Sequence, residues 1–412
     1  MQKKKKLLLI SAAIIFLIVF LQALKQSRNN VENLQQTVVT ADTSVPQEYS
    51  ELYSELETAL NEFEVTYSPE GNHEVIYGAD LLTANTHRGT DLLARNAMAG
   101  NILYLDNLQK LGVRGVSISM QYPLLLNDYP QSDKYWQFYK DLVQEIRKRG
   151  LTIHIDIGPI LPQKEYSELN VSYDNLSKEE YLLGKKEIAV RITNELQPDY
   201  LTVVNEPDTE TASIGHTITI PEYVDFINDV HAEITDESVK LGAGTGTWSS
   251  QDYVESFSQT SSLDFIDLHM YPLSNGTTNY LQVLISMIET AKKNDKKVVL
   301  GEVWLYKASS SEVSERMDHP DVFARDAFSF WAPLDQKLLE TVAKVAEAYE
   351  VDYIAPFWSK YYFGYLDYAE ARQYSNLRLV SETNEVAVEH MKKGRISETG
   401  AFYKSLISPY KD

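Results

Sequence analysis

The 412-residue chain is 43% hydrophobic and 24% charged, with no cysteine and a formal net charge of -21 at neutral pH. That composition excludes a disordered or fibrous chain, and the missing cysteines exclude disulfides, zinc–thiolate sites, iron–sulfur clusters and a thiol nucleophile. With 38 basic against 59 acidic residues, nothing here neutralises phosphates broadly, so neither DNA nor RNA is expected as a partner.

Lys3 to Lys6 precede an apolar run, Leu7 to Leu24, broken only by Ser11 and Gln22. Lysines before such a run hold that end on the cytoplasmic side, and the run rises about 27 Å as a helix, enough to cross a bilayer. Residues 1–24 are therefore expected to be a signal anchor or, as the alternative, a cleaved signal peptide. Either reading places the remainder outside a bacterial cell, on its surface through residues 7–24 or secreted. Residues 25–72 read as a tether and a short N-terminal helix. The stretch to about residue 47 is rich in Asn, Gln, Ser and Thr. Glu48–Glu64 has apolar residues at three- and four-residue steps, which suits a helix packed on the domain or part of a stalk.

From residue 73 to 412 one unit repeats: a short β-branched run, then an amphipathic helix. The runs are 74–80, 115–123, 151–159, 200–207, 239–248, 265–272, 297–305 and 352–358. Helices are expected over about 96–110, 133–149, 178–196, 221–235, 250–259, 279–294, 321–349 in pieces, and 396–408. Eight such pairs predict an α/β fold, a single (β/α)₈ TIM barrel with an N-terminal membrane-crossing segment. An open doubly wound sheet is the rival, but it often carries a Gly-rich first turn and no GxGxxG occurs here.

Polar residues gather where these runs end: Asp80, His154 and Asp156, Asn205 and Glu206, Trp248, His269 and Tyr271, Glu302, and Trp358. In a barrel all these ends converge on one mouth. One such residue alone is as well explained by a helix cap. Capping explains Glu206 and Glu302 less well, because Glu is a poor N-cap. Two carboxyl groups facing each other across a mouth suit glycosidic bond cleavage, where one donates a proton and the other attacks or activates water. Asn205 is placed to hold a sugar 2-hydroxyl. His269 and Tyr271, two apart on one strand face, are placed to orient Glu302. Trp248, Trp304 and Trp358 offer flat faces for pyranose rings, and Phe357, alternating with Trp358, is expected to pack against a helix.

"VVNEP" (Val203–Pro207), "LHMYP" (Leu268–Pro272), "LGEVW" (Leu300–Trp304) and "APFW" (Ala355–Trp358) together resemble the signature strands of the large clan of retaining (β/α)₈ glycoside hydrolases. That clan, clan A, includes cellulases, β-mannanases and β-galactanases. The resemblance implies Glu206 as acid/base, Glu302 as nucleophile, Tyr271 bonded to the nucleophile and Trp358 as the floor of subsite -1. It implies a poly- or oligosaccharide substrate and a monomeric catalytic domain without a cofactor. Departures are visible as well. Cellulase-like members carry an Arg inside strand two, whereas Arg114 precedes "GVSIS" here and Ser117 stands at that place. Strand three reads "HIDIG", with His154 and Asp156 in an unusual order.

The eight His residues form no HExxH or close H-x-H set, so no metal is expected. A carbohydrate-binding pseudoenzyme or cell-surface scaffold on the same barrel is the alternative function. Such a protein has no need to keep both glutamates.

Overall fold

A computed structural model of the protein describes residues 36–63, 73–162, 167, 169–234, 236, 238–271, 279–309, 311–312 and 319–408. Eight parallel strands close into a barrel: β2 (Ile76–Asp80), β3 (Gly115–Ser119), β4 (Thr152–Asp156), β5 (Tyr200–Val204), β6 (Lys240–Gly246), β7 (Phe265–Met270), β8 (Lys297–Val303) and β9 (Tyr353–Pro356). Closure is made by β9 on β2, with Ile76 opposite Tyr353. Each strand coincides with one of the β-branched runs, because a strand buried on both faces needs a continuous apolar stretch. An additional strand, β1 (Thr37–Val39), pairs in parallel with β10 (Arg395–Ser397). It lies in the stretch whose composition reads as a tether.

The helices follow in turn: α1 (Ser50–Asn61), α2 (Ala97–Leu111), α3 (Ser132–Lys148), α4 (Lys178–Glu195), α5 (Pro207–Ile214), α6 (Ile220–Glu233), α7 (Asp252–Ser258) and α8 (Tyr280–Lys293). They continue with α9 (His319–Arg325), α10 (Ala332–Ala348), α11 (Tyr368–Ala371), α12 (Asn376–Lys392) and α13 (Glu398–Leu406). The N-terminal helix α1 makes a ring contact with the residue that precedes α10. Tyr53 of α1 stacks on Trp331 with ring centroids 5.8 Å apart.

The expected membrane-crossing helix needs correction. Among the described residues no helix is long and apolar enough to cross a membrane. Leu7–Leu24, on which that expectation rested, lies outside the described residues. Membrane contact through residues 7–24 and anchorage at the cell surface are therefore withdrawn as features of this structure.

Inside the barrel the lowest layer is aromatic: Tyr200, Phe265 and Tyr353 pack together with Val299. Their rings fit because glycine faces them. A β-carbon at Gly242 would stand 2.2 Å from the Phe265 ring, and one at Gly115 2.5 Å from that of Tyr353. Above this plug lies a polar layer. Ser117 Oγ and Thr202 Oγ1 each lie 2.9 Å from a ring nitrogen of His154. Thr202 in turn donates to Asp267 Oδ2 at 2.7 Å, and Gly301 N–H donates to Asp267 Oδ1 at 2.9 Å. Register shifts between Asp267 and His269, and between Leu300 and Val303, lift the strand ends above this layer.

Candidate active site

Four elements meet over the polar layer. The end of β5 supplies Asn205 and Glu206, and Glu206 is the residue before α5, whose Pro207 starts the helix. β7 supplies His269 and, one residue past its end, Tyr271; β8 supplies Glu302. Register places His269 directly opposite Glu302. His269 Nδ1 lies 2.7 Å from Glu206 Oε1 and 3.7 Å from Glu302 Oε2. The Tyr271 hydroxyl donates to Glu302 Oε2 at 2.5 Å. One polar atom each of Glu206, His269 and Glu302 lie within 4.8 Å of one another. That spacing is also one a metal ion can use, but Nδ1 of His269 is already spent on Glu206. The three groups read as a hydrogen-bonded set.

Asn205 is fixed from both ends of its amide. Its Oδ1 accepts the Glu206 N–H and its Nδ2 donates to Asp156 Oδ1, both at 2.9 Å. Ser119 donates to the other Asp156 oxygen at 2.8 Å. One Nδ2 hydrogen of Asn205 stays free for a ligand. Asp80, at the end of β2, is 1% exposed. Among the described residues neither of its carboxyl oxygens finds a hydrogen-bond partner.

The charges of this site are tightly coupled. Burial alone would keep His269 neutral, but Glu302, Asp267 and Glu206 around it outweigh burial and hold the ring protonated. Burial pushes Glu206 up, and the bonded His269 more than reverses that, leaving it below the ordinary carboxyl range. Burial raises Glu302 most, His269 opposes, and the neighbouring Glu206 and Asp156 charges add to the rise, giving about 8. Asp80 is pushed well above its ordinary value by burial first, then by Glu302 and Asp156. The pair Glu206/Glu302 thus holds a single proton between its two carboxyl groups at neutral pH.

Trp358 follows β9 and is half-buried, with its ring edge against Phe357 at 4.8 Å and Phe323 at 5.6 Å. The Phe357 ring also meets that of Tyr271, with centroids 5.6 Å apart. Trp248 stands at the rim, half-buried, 6.0 Å from Tyr271. Two of the expected residues stand apart. His154 is 1% exposed in the layer beneath. Trp304 is 1% exposed and stacked under Tyr361 at 5.9 Å. Three acidic residues had escaped the sequence reading of the site. Asp267 was legible, since it precedes His269 by two on the same strand face. Asp208 follows Glu206 by two, and its contact could not be read from spacing. Glu210 completes a buried cluster behind the site.

That cluster fixes the helix that carries Glu206. Glu210 of α5 pairs with Lys185 of α4, both fully buried, and accepts from Tyr181 at 3.1 Å and Tyr223 at 3.3 Å. Removing one partner strands a buried charge, so Lys185→Met should cost about 3–5 kcal/mol in urea unfolding. Adding Glu210→Gln removes the stranded charge while keeping an acceptor for Tyr181 and Tyr223, and should recover most of the loss. A single variant with an unaltered midpoint would refute the clamp.

No family model matches the chain, and no curated protein does. Solved structures do match in fold. A GH5_18 protein from Bifidobacterium longum subsp. longum is 14% identical, with a TM-score of 0.54 over 82% of this chain and 80% of that one. The exo-β-1,4-mannosidase Op5Man5 from an Opitutaceae bacterium is 13% identical, with a TM-score of 0.50 over 81% of this chain and 59% of that one. At such identities the likeness is one of fold: the (β/α)₈ barrel of this chain is shared with these two structures.

Proposed function

We propose that the protein is a retaining O-glycoside hydrolase acting on a poly- or oligosaccharide by double displacement. The observation that carries this reading is the pair Glu206 and Glu302, with an oxygen of each within 4.8 Å. Retaining enzymes hold their two carboxyl groups about 5–5.5 Å apart, and inverting ones leave about 6.5–9.5 Å for a water. Glu302 attacks the anomeric carbon while Glu206 gives its proton to the departing oxygen. In the second half Glu206 takes a proton from water, the oxygen of that water bonds to the anomeric carbon, and Glu302 leaves. Asn205 holds the 2-hydroxyl with its free amide hydrogen, and Trp358 forms the floor of subsite -1. Trp248 also contacts substrate; the positions of His154 and Trp304 suit support from below and behind instead. Exo-β-1,4-mannosidase is the activity named for one fold neighbour, which makes β-mannosides a first probe beside β-glucosides, β-galactosides and β-xylosides.

The chemistry needs the proton of the pair on Glu206, so the pair must hold a single proton when substrate binds. Activity should then fall as pH rises through about 8, where burial holds the last ionisation of Glu302. Tyr271→Phe removes a donor that favours the Glu302 anion, so that basic limb should move to higher pH. Turnover should drop about tenfold or more, with a smaller change in KM. A limb that stays in place would separate Tyr271 from Glu302. The reading itself is tested by following product on mannan, galactan, xylan and β-glucan panels with NMR of the first anomer. An inverted first product would overturn it.

A further inference from the structure

One indole at the rim is held on three sides without being buried. A β-carbon at Gly246 would stand 2.3 Å from the Trp248 ring, so the ring lies on bare backbone. The indole Nε1–H donates to Asp208 Oδ2 at 2.8 Å. The Tyr271 ring meets it edge-on, with centroids 6.0 Å apart. Three restraints on a half-exposed side chain spend its rotamer freedom in advance, which is what a preorganised binding surface requires. An aromatic face of this kind suits the C–H face of a ring.

The order of the strands tells which side of the cleaved bond this surface serves. Around the barrel, Trp358 follows β9, Glu302 sits on β8, Tyr271 follows β7, and Trp248 follows β6 next to Glu206 after β5. Trp358 thus follows the strand beside that of Glu302, whereas Trp248 follows the strand beside that of Glu206 and is bonded to Asp208 of the helix that Glu206 precedes. This puts Trp248 on the side of the acid that protonates the leaving oxygen. Asp208 stands two residues beyond Glu206, in the first turn of α5. Its carboxyl is raised by burial and by the Glu206 charge.

We propose that Trp248, held in place by Asp208, is the platform for the sugar on the leaving-group side of the bond, and that this sugar is not a uronate. The second clause follows from charge: the Asp208 carboxylate that accepts from the indole borders the platform, and a second carboxylate there would be repelled. The assignment rests on Glu206 being the acid/base. Asp208 acts through Trp248 and is a positioning residue.

A glycosyl fluoride isolates this site, because its leaving group is one atom and reaches no platform. Wild type is first screened on the β-fluorides of mannose, glucose, galactose and xylose. The matching oligosaccharide and the fluoride are then compared in Trp248→Ala, Asp208→Ala and Asp208→Asn. Trp248→Ala is expected to lose about tenfold more kcat/KM on the oligosaccharide than on the fluoride. Asp208→Ala should show the same bias, mainly in KM. Asp208→Asn keeps an acceptor for the indole N–H and should restore most of it. Equal losses on both substrates, in variants with wild-type melting temperatures, overturn the platform alone. A wild type that prefers a uronate leaving group overturns the charge clause. A wild type that turns over no fluoride and no oligosaccharide overturns the hydrolase reading, and the platform with it.

Discussion

Glu302→Ala is expected to lower turnover of every glycoside by roughly four orders of magnitude or more. No other side chain among the described residues stands where it could attack the anomeric carbon in its stead. The substitution leaves a small cavity lined by His269 and Tyr271, both of which faced the lost carboxylate. Azide entering that cavity attacks from the face Glu302 used, and the bond formed is never displaced again. The product is then a glycosyl azide of inverted configuration, which NMR distinguishes directly. Rescue with retained configuration would assign the nucleophile elsewhere.

Glu206→Ala should behave differently, and the difference depends on the leaving group. Natural linkages depart as poor anions, so losing the acid should cost about 10²–10⁴-fold. A dinitrophenyl glycoside departs without a proton, and its first step should be nearly spared. The second step then lacks a base, and the glycosyl-enzyme should accumulate as a burst followed by slow turnover. Azide, needing no deprotonation, should accelerate that second step and give a product of retained configuration. Equal loss on both substrates, with inverted azide product, would exchange the two roles.

The barrel was legible because its strands are buried on both faces and most are written as short apolar runs rich in β-branched residues, although β6 carries Gly242, Gly244 and Gly246 instead. The residues at the mouth were legible for a related reason: a polar side chain closing such a run has few other uses. Height within the barrel was not. Residues two apart on a strand share a face but differ by about 6.6 Å along it, so His154 lies a layer below Asp156. Trp304 has the parity of Glu302, yet β8 ends at Val303 and the chain turns its ring beneath Tyr361. The Asp208–Trp248 bond joins residues 40 apart, and α12 falls between the last run and the last expected helix, where no element was expected. No local pattern announces either. The β1–β10 pairing is three residues long on each side, too short for periodicity to register.

That small pairing has a mechanical consequence. β1 and β10 run parallel, with Thr37 beside Arg395 and Val39 beside Ser397. A pull applied before Gln36 and resisted after α13 draws the two strands past each other lengthwise. Their bonds are then loaded together, in shear, where an antiparallel pair pulled the same way would unzip one bond at a time. β10 leads straight into α13, whose Tyr403 hydroxyl is bonded to the Gly78 carbonyl of β2 at 2.8 Å. Tension arriving from the N-terminal side therefore reaches the closing seam of the barrel before it reaches the mouth. In single-molecule pulling between residues 36 and 408, Thr37→Pro removes the N–H that donates to the Gly394 carbonyl at 3.0 Å and should lower the first rupture force while leaving later ones alone. A first rupture insensitive to that change would place the load path elsewhere, through α1 and its stack on Trp331.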